Sequence, residues 1–166
     1  MDMKRQADGF VRIAAATPPV RVADCPYNTA EMYRMIAEAA ENGAAAIVFP
    51  ELSVTGYTCG DLFKDRRLLE SAGESLMALI EKAKDLDILC AVGMPVASNG
   101  ALYNCAAVFC RGALLALPAK QNVPNYSEFY EARHFSPAPE SGMLRFMDEW
   151  YPCRDVLVEL APDVVV

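Results

Sequence analysis

A short apolar segment that directly follows a helix stop limits the possible folds of this chain more than any other feature. Residues 44–49 are all apolar, and they come just after Asn42 and Gly43, a pair typical of a helix C-terminus. A short strand without polar alternation is typical of a parallel sheet whose two faces are both covered. The sequence therefore predicts a βαβ unit and an α/β fold.

Patterns on either side of this segment extend the unit. Residues 10–16 are predicted as the first strand. A helix is predicted next, with Asn28 as its N-cap and with Met32 and Ile36 beginning an apolar stripe. A second amphipathic helix is predicted over about residues 65–84, so that both helices can pack on the sheet.

Three successive strands are predicted after the second helix, at residues 88–96, 102–110 and 113–117. The pair Asn99 and Gly100 separates the first two strands and is a strong hairpin signal. Two charged residues follow strand ends in this scheme, Glu51 and Lys120. Because α/β folds build their sites outside the carboxyl ends of strands, both are candidate site residues.

Composition excludes several classes of partner. The chain has 166 residues, enough for one domain, and a formal net charge of −7, which argues against nucleic-acid binding. Its longest apolar runs are far shorter than the roughly 20 residues that cross a membrane. The N-terminus shows no secretory signal, so we expect a soluble, cytoplasmic protein without membrane partners.

The metal-binding and nucleophilic residue types give no site by themselves. Six cysteines occur without a Cys-x-x-Cys pair, which favours buried thiols over a metal or redox centre. His134 is the sole histidine and is interpreted as structural. No glycine-rich phosphate loop is found, so no nucleotide site is predicted.

Three strings of sequence carry a resemblance to a known family. They are residues 48–63, which include Phe49-Pro50-Glu51 and Gly56-Tyr57-Thr58-Cys59-Gly60-Asp61-Leu62-Phe63, then residues 102–106, and finally residues 120–135. Together they resemble the nitrilase-type glutaminase domain of glutamine-dependent NAD synthetases. The resemblance implies a nitrilase-like four-layer α-β-β-α sandwich, incomplete at its C-terminus, with residues 1–166 as one partial carbon-nitrogen hydrolase domain.

The resemblance also implies roles for individual residues. Glu51 matches the general base, which takes the proton of a nucleophilic cysteine. Lys120 matches the lysine whose charge stabilises the tetrahedral oxyanion. Glu128 is assigned as the second carboxylate, which orients the lysine and the substrate. The predicted glutamine pocket is lined by Tyr126, Tyr57 and Phe129.

One expected part of the family pattern is missing. The motif that carries the nucleophilic cysteine does not occur in residues 1–166, and Cys59, Cys105 and Cys153 are expected to be inert. Residues 163–166 resemble the strand that would lead to that cysteine. We therefore expect no glutamine hydrolysis by this chain alone, and no cofactor in it.

Other consequences of the resemblance concern a longer protein. ATP and Mg²⁺ are expected only for a C-terminal synthetase domain, within a homo-oligomer that takes glutamine as its substrate. Two alternatives stay open at this stage: a truncated stand-alone amidase of the nitrilase family, and a non-catalytic fragment that binds a full-length partner.

Overall fold

Helices and strands alternate along the chain up to its third strand, in the order that the sequence patterns predict for an α/β fold, and mainly strands follow after it. The computed structural model describes residues 10–161 and 164–165. The elements are β1 (Ile13–Ala15), α1 (Cys25–Glu41), β2 (Ala46–Val48), a 3₁₀ helix (Tyr57–Lys64), α2 (Arg66–Lys82), β3 (Leu89–Ser98), β4 (Ala101–Cys110), β5 (Ala113–Ala116), a second 3₁₀ helix (Glu131–Arg133), β6 (Met143–Phe146), β7 (Glu149–Pro152), β8 (Glu159–Ala161) and β9 (Val164–Val165).

The main sheet combines a parallel half with an antiparallel half. Within the described residues it has five strands in the order β1-β2-β3-β4-β5. Strands β1, β2 and β3 are parallel, and Ala15, Val48 and Ala91 lie side by side across them. Strands β3, β4 and β5 form an antiparallel meander. The predicted βαβ unit and the predicted meander are both confirmed.

Helix α1 begins earlier than the sequence pattern predicts. Its N-cap is Asp24, whose carboxylate accepts a hydrogen bond from the Tyr27 N–H at 3.2 Å. Pro26 fits the first turn because its missing N–H would have no partner there. Asn28 is therefore not the N-cap. It is buried, and its side-chain amide donates to the carbonyls of Arg21 and Val54 at 2.8 and 3.0 Å.

The two helices cover one face of the parallel strands. The core joins Met32 of α1 and Leu76 of α2 to Ile47 of β2. Neighbouring residues on β2 point to opposite faces, and Ile47 is 1% exposed whereas Val48 is 49% exposed. On the opposite side the cover is incomplete in the described residues, since Ala46 is 6% exposed there whereas Val48 is 49% exposed. The expectation that this strand is covered on both faces is therefore met only in part.

The loop that follows β2 passes unusually close to β3. Gly93 makes this possible, because a Cβ atom at this position would lie 2.3 Å from the Leu52 nitrogen and 2.5 Å from the Pro50 oxygen. The loop is also bonded to the strand, since the Val54 N–H donates to the Gly93 carbonyl at 2.9 Å. Gly93 thus fixes the position of the segment that contains Glu51.

The C-terminal part differs from the prediction. The hairpin of β6 and β7 has no counterpart in the sequence patterns, because its turn residues Met147 and Asp148 adopt positive φ angles of 48° and 66° without the usual Asn-Gly signal. Residues 136–142 contain no helix or strand, as predicted. The strand predicted at residues 154–160 is short and starts only at residue 159.

The last residues of the chain are described only in part. Part of the strand expected at residues 163–166 lies outside the described residues, which include only β9 from that segment. Among the described helices, none is long and apolar enough to span a membrane.

Candidate active site

A lysine held between two carboxylates forms the centre of the site. The Lys120 ammonium lies 2.9 Å from Oε1 of Glu51 and donates to both oxygens of Glu131, at 3.0 and 2.8 Å. The Glu131 side chain is buried and 8% exposed, whereas that of Lys120 is 29% exposed. Such charge-assisted hydrogen bonds are about twice as strong as neutral ones, so they fix the ammonium group in place.

Separate elements bring these three residues together. Glu51 follows β2 in the loop that Gly93 positions. Lys120 follows Ala119, which bridges to Cys105 of β4, and its own N–H donates to the Asn104 carbonyl at 2.8 Å. Glu131 begins the second 3₁₀ helix. The meeting of Glu51 and Lys120 agrees with their predicted places at strand ends, while their catalytic roles stay predictions.

The carboxylate that orients the lysine is Glu131, and the assignment of this contact to Glu128 is corrected by the geometry. Glu128 is exposed, and hydrogen bonds from Ser127 and from its own main chain lower the pKa of its carboxyl. The two residues are three positions apart in the same string, and only Glu131 lies in the 3₁₀ turn that faces Lys120. The sequence spacing alone gives no signal for this choice.

Two polar residues without an assigned hydrogen-bonding role complete the cluster. The side-chain amide of Asn104 donates to Oε1 of Glu51. The Tyr57 hydroxyl donates to Oε1 of Glu131 at 3.1 Å. Asn104 belongs to one of the strings that carry the family resemblance, but nothing in its spacing shows that it would reach Glu51.

Electrostatics keep the lysine charged. Partial burial acts to lower the pKa of Lys120, but hydrogen bonds and charge attraction from Glu131 and Glu51 outweigh it, and the pKa is raised. Burial, followed by the bond to Glu131, raises the pKa of Tyr57, whose hydroxyl therefore stays a neutral donor. At neutral pH the cluster thus presents a fixed positive charge between two carboxylates.

A cleft opens beside the cluster. It has a volume of about 210 Å³, and its lining includes Tyr57, Glu128, Tyr130 and Glu131. Of the three predicted pocket residues, Tyr57 alone lines this cleft. Tyr126 is 69% exposed, and its ring contacts that of Phe129 edge to face at 5.5 Å. Tyr130, which the sequence did not single out, is a further lining residue.

The cysteines provide no nucleophile near Glu51 in the described part of the chain. Burial raises the thiol pKa of Cys59 and of Cys105, and raises that of Cys90 to about 12. Cys153 is also buried, and burial raises its pKa. These thiols are protonated at neutral pH, and none is a hydrogen-bond partner of Glu51. The expectation that Cys59, Cys105 and Cys153 are inert thus agrees with their surroundings.

His134 lies in an aromatic cluster beside the 3₁₀ helices. His134 packs edge to face against Phe63, with the ring centres 5.7 Å apart, and burial lowers its pKa. The residues that the structure describes contain no group of three or more His, Cys, Asp or Glu side chains that could hold a metal ion.

Comparisons with known proteins place this geometry in a family. The carbon-nitrogen hydrolase family model matches residues 12–149. The chain is 37% identical over 138 residues to a glutamine-dependent NAD(+) synthetase of Mycobacterium tuberculosis, covering 82% of this chain and 20% of the relative. It is 31% identical over 160 residues to that of Mycobacterium leprae, covering 96% and 24%. The chain thus spans between a fifth and a quarter of these curated relatives.

Solved structures of two other proteins superpose on this chain. A glutamine-dependent NAD(+) synthetase from Cytophaga hutchinsonii superposes with a TM-score of 0.81 and 30% identity, over 90% of this chain and 26% of that one. An amidase of the nitrilase superfamily from Nesterenkonia AN1 superposes with a TM-score of 0.64 at 20% identity, over 84% of this chain and 53% of that one, and shares the fold. The mixed α/β architecture is of the nitrilase type. The chain therefore belongs to the carbon-nitrogen hydrolase family.

Proposed function

We propose that this chain supplies the base and the lysine of a glutamine-hydrolysing site. In this proposal it is part of a longer cytoplasmic, homo-oligomeric protein that passes ammonia from glutamine to the synthesis of NAD from deamido-NAD. The observation that carries the proposal is the Lys120 ammonium held between Glu51 and Glu131. The similarity to NAD synthetases over 82% of the chain supports glutamine over other amides.

The geometry suits acyl transfer through a thiol that another part of the protein supplies. Glu51 accepts the thiol proton, and the sulfur then attacks the amide carbon of glutamine. The positive charge of Lys120 stabilises the oxyanion of the tetrahedral intermediate, in the way that oxyanion holes do. Glu131 holds Lys120 in place, and Tyr57 and Tyr130 line the cleft beside it. The carbon–nitrogen bond then breaks as Glu51 gives its proton to the nitrogen, ammonia leaves, and water hydrolyses the thioester.

In this proposal the described residues supply the base and the positive charge for that reaction, but not its nucleophile. Their cysteine thiols make no hydrogen bond with Glu51, and burial raises the pKa of Cys25, Cys59, Cys90, Cys105 and Cys153. We propose that residues 1–166 alone release no ammonia from glutamine. We also propose that ATP and Mg²⁺ are needed only by a synthetase domain elsewhere in the protein.

The test is ammonia release from glutamine by the protein that the complete reading frame encodes. We expect Glu51→Gln and Lys120→Met each to lower the rate by about a hundredfold or more, since each removes a charge used in the transition state. NAD formation from deamido-NAD with added ammonium salt should be retained, because it bypasses this site. Lys64→Met, at an exposed lysine outside the cluster, is the matched control.

Two results would overturn the proposal. The first is full ammonia release by the Glu51→Gln variant. The second is turnover of glutamine by purified residues 1–166 that is lost on substitution of one of its six cysteines. Faster hydrolysis of short aliphatic amides than of glutamine, without NAD formation, would instead favour an amidase.

A further inference from the structure

The two oxygens of the Glu51 carboxylate are in different surroundings. Oε1 accepts hydrogen bonds from the Lys120 ammonium, at 2.9 Å, and from the side-chain amide of Asn104. Oε2 has no hydrogen-bond partner among the residues that the structure describes. The carboxylate is therefore held through one oxygen, and the other is available to accept a proton.

Asn104 is well placed to hold this carboxylate. It is buried on β4, where it lies opposite Pro95 of β3 in the antiparallel register. Its main-chain carbonyl also accepts the N–H of Lys120 at 2.8 Å. A single residue thus contacts the side chain of Glu51 and the main chain of Lys120, which links the positions of the two charged groups.

The chemistry of an amide suits this position. A side-chain amide donates hydrogen bonds but carries no charge and has no proton to lose near neutral pH. It can therefore restrain the Glu51 carboxylate without neutralising it. A second cation at this position would compete with the proton for the carboxylate, and an acid would repel it.

We propose that Asn104 is a positioning residue for the general base, a role that rests on the proposed function. Asn104 and Lys120 together occupy Oε1 of Glu51, and Oε2 is the oxygen that takes the proton. In that step the S–H bond of a thiol from another part of the protein breaks and an Oε2–H bond forms. The electron pair stays on sulfur, which becomes the nucleophile.

The test uses scalar couplings across hydrogen bonds, measured by NMR on residues 1–166 labelled with ¹⁵N and ¹³C. We expect couplings to the Glu51 side-chain carboxyl carbon from the Asn104 amide nitrogen and from the Lys120 ammonium nitrogen. Asn104→Leu has a similar shape without a donor, and Asn104→Asp has the same shape with a repelling charge. Both variants should lose the coupling between Lys120 and Glu51 and keep that between Lys120 and Glu131.

Asn42→Leu provides the matched control. Asn42 caps the C-terminus of α1, where its amide donates to the Glu38 carbonyl at 2.9 Å, at the opposite end of β2 from Glu51. This variant should keep all the couplings of the cluster. Absence of the coupling between Asn104 and Glu51 in the unsubstituted chain would overturn the proposal even if the variants fail to fold. An unchanged coupling between Lys120 and Glu51 in Asn104→Leu would overturn it too.

Kinetics separate this inference from the proposed function. In the complete protein, Asn104→Leu should lower kcat for ammonia release about tenfold or more, leave KM for glutamine nearly unchanged, and not be rescued by Asn104→Asp. Equal kcat for Asn104→Leu and the unsubstituted protein would refute the positioning role. If the unsubstituted protein releases no ammonia, the proposed function fails, while the couplings still decide whether Asn104 holds Glu51.

Discussion

The Lys120 ammonium lies 2.8 Å from Oε2 of Glu131, a carboxylate eleven residues further along the chain. Because the Glu131 side chain is buried, water has little access to the carboxylate side of this contact. The pair anchors the segment between the two residues, which includes Tyr126 and Phe129, to the end of the sheet. The cluster therefore has a structural role in the chain as well as its proposed chemical one.

Glu131→Gln should destabilise the chain by about 2 kcal/mol, because it replaces charge-assisted hydrogen bonds to Lys120 by weaker neutral ones. Urea unfolding followed by circular dichroism measures the change. Glu128→Gln is the matched control at an exposed carboxylate three residues away, and its unfolding midpoint should not move. Equal destabilisation by the two variants would show that Glu131 does not hold the lysine.

Gly93→Ala should be among the most damaging single-methyl additions. The new Cβ would lie 2.3 Å from the Leu52 nitrogen and 2.8 Å from the Glu51 carbonyl carbon, and backbone atoms cannot move aside cheaply. We expect a loss of about 2–3 kcal/mol in the free energy of unfolding, as for other overpacked sites. Loss of the NMR coupling between Lys120 and Glu51 should accompany it.

Gly73→Ala is the control for that change. Its Cβ would lie 2.7 Å from the terminal methyl group of Met147, a flexible side-chain end that can move, and alanine favours a helix over glycine by up to about 1 kcal/mol. We expect a change close to zero. If both glycine variants lose the same stability, the close approach at Gly93 is not what matters.

Alkaline pH should weaken the contribution of Lys120. Because the pKa of Lys120 is raised in the folded state, its ion pairs contribute fully below the unfolded pKa of about 10.4 and are lost as the pH rises through the folded value. The stability difference between the unsubstituted chain and Lys120→Met should therefore stay constant from pH 7 to 9 and narrow above pH about 10.5. A difference that widens above this pH would contradict the shift. Urea unfolding at each pH measures it, with Lys64→Met as the surface control.

Thiol reactivity should distinguish one cysteine from the rest. Cys110 is half-buried, and the other five cysteines are buried. With Ellman's reagent at pH 8, the native chain should show a fast phase of about one thiol, since access and thiolate content set the rate. Cys110→Ser should remove this phase and Cys90→Ser should keep it. A fast phase that survives in Cys110→Ser would mean that a buried thiol is accessible.

Two local features could not be predicted from the sequence: the N-cap of α1 and the β6–β7 hairpin. Both Asp24 and Asn28 are good N-cap residues, and the chain uses Asp24 because Asn28 is needed for a buried hydrogen bond to Val54. The β6–β7 hairpin has no clear sequence signal, because Met147 and Asp148 form its turn without a glycine. At Asn28 a tertiary contact thus outweighed a local preference, whereas at the hairpin the local signal was absent.

The sequence patterns were enough to predict strands β1 to β5, the turn at Asn99 and Gly100, and the positions of Glu51 and Lys120 after strand ends. These properties depend on hydrophobic period and on turn residues, which are local. The tertiary structure alone decided that Glu131 rather than Glu128 meets Lys120, and that Asn104 reaches Glu51 from 53 residues away. Those contacts depend on where the chain enters the 3₁₀ helix that begins at Glu131, and on how the loop after β2 crosses Gly93 to lie beside β4. The packing of distant segments sets both contacts, and it cannot be read from the spacing of residues in the sequence.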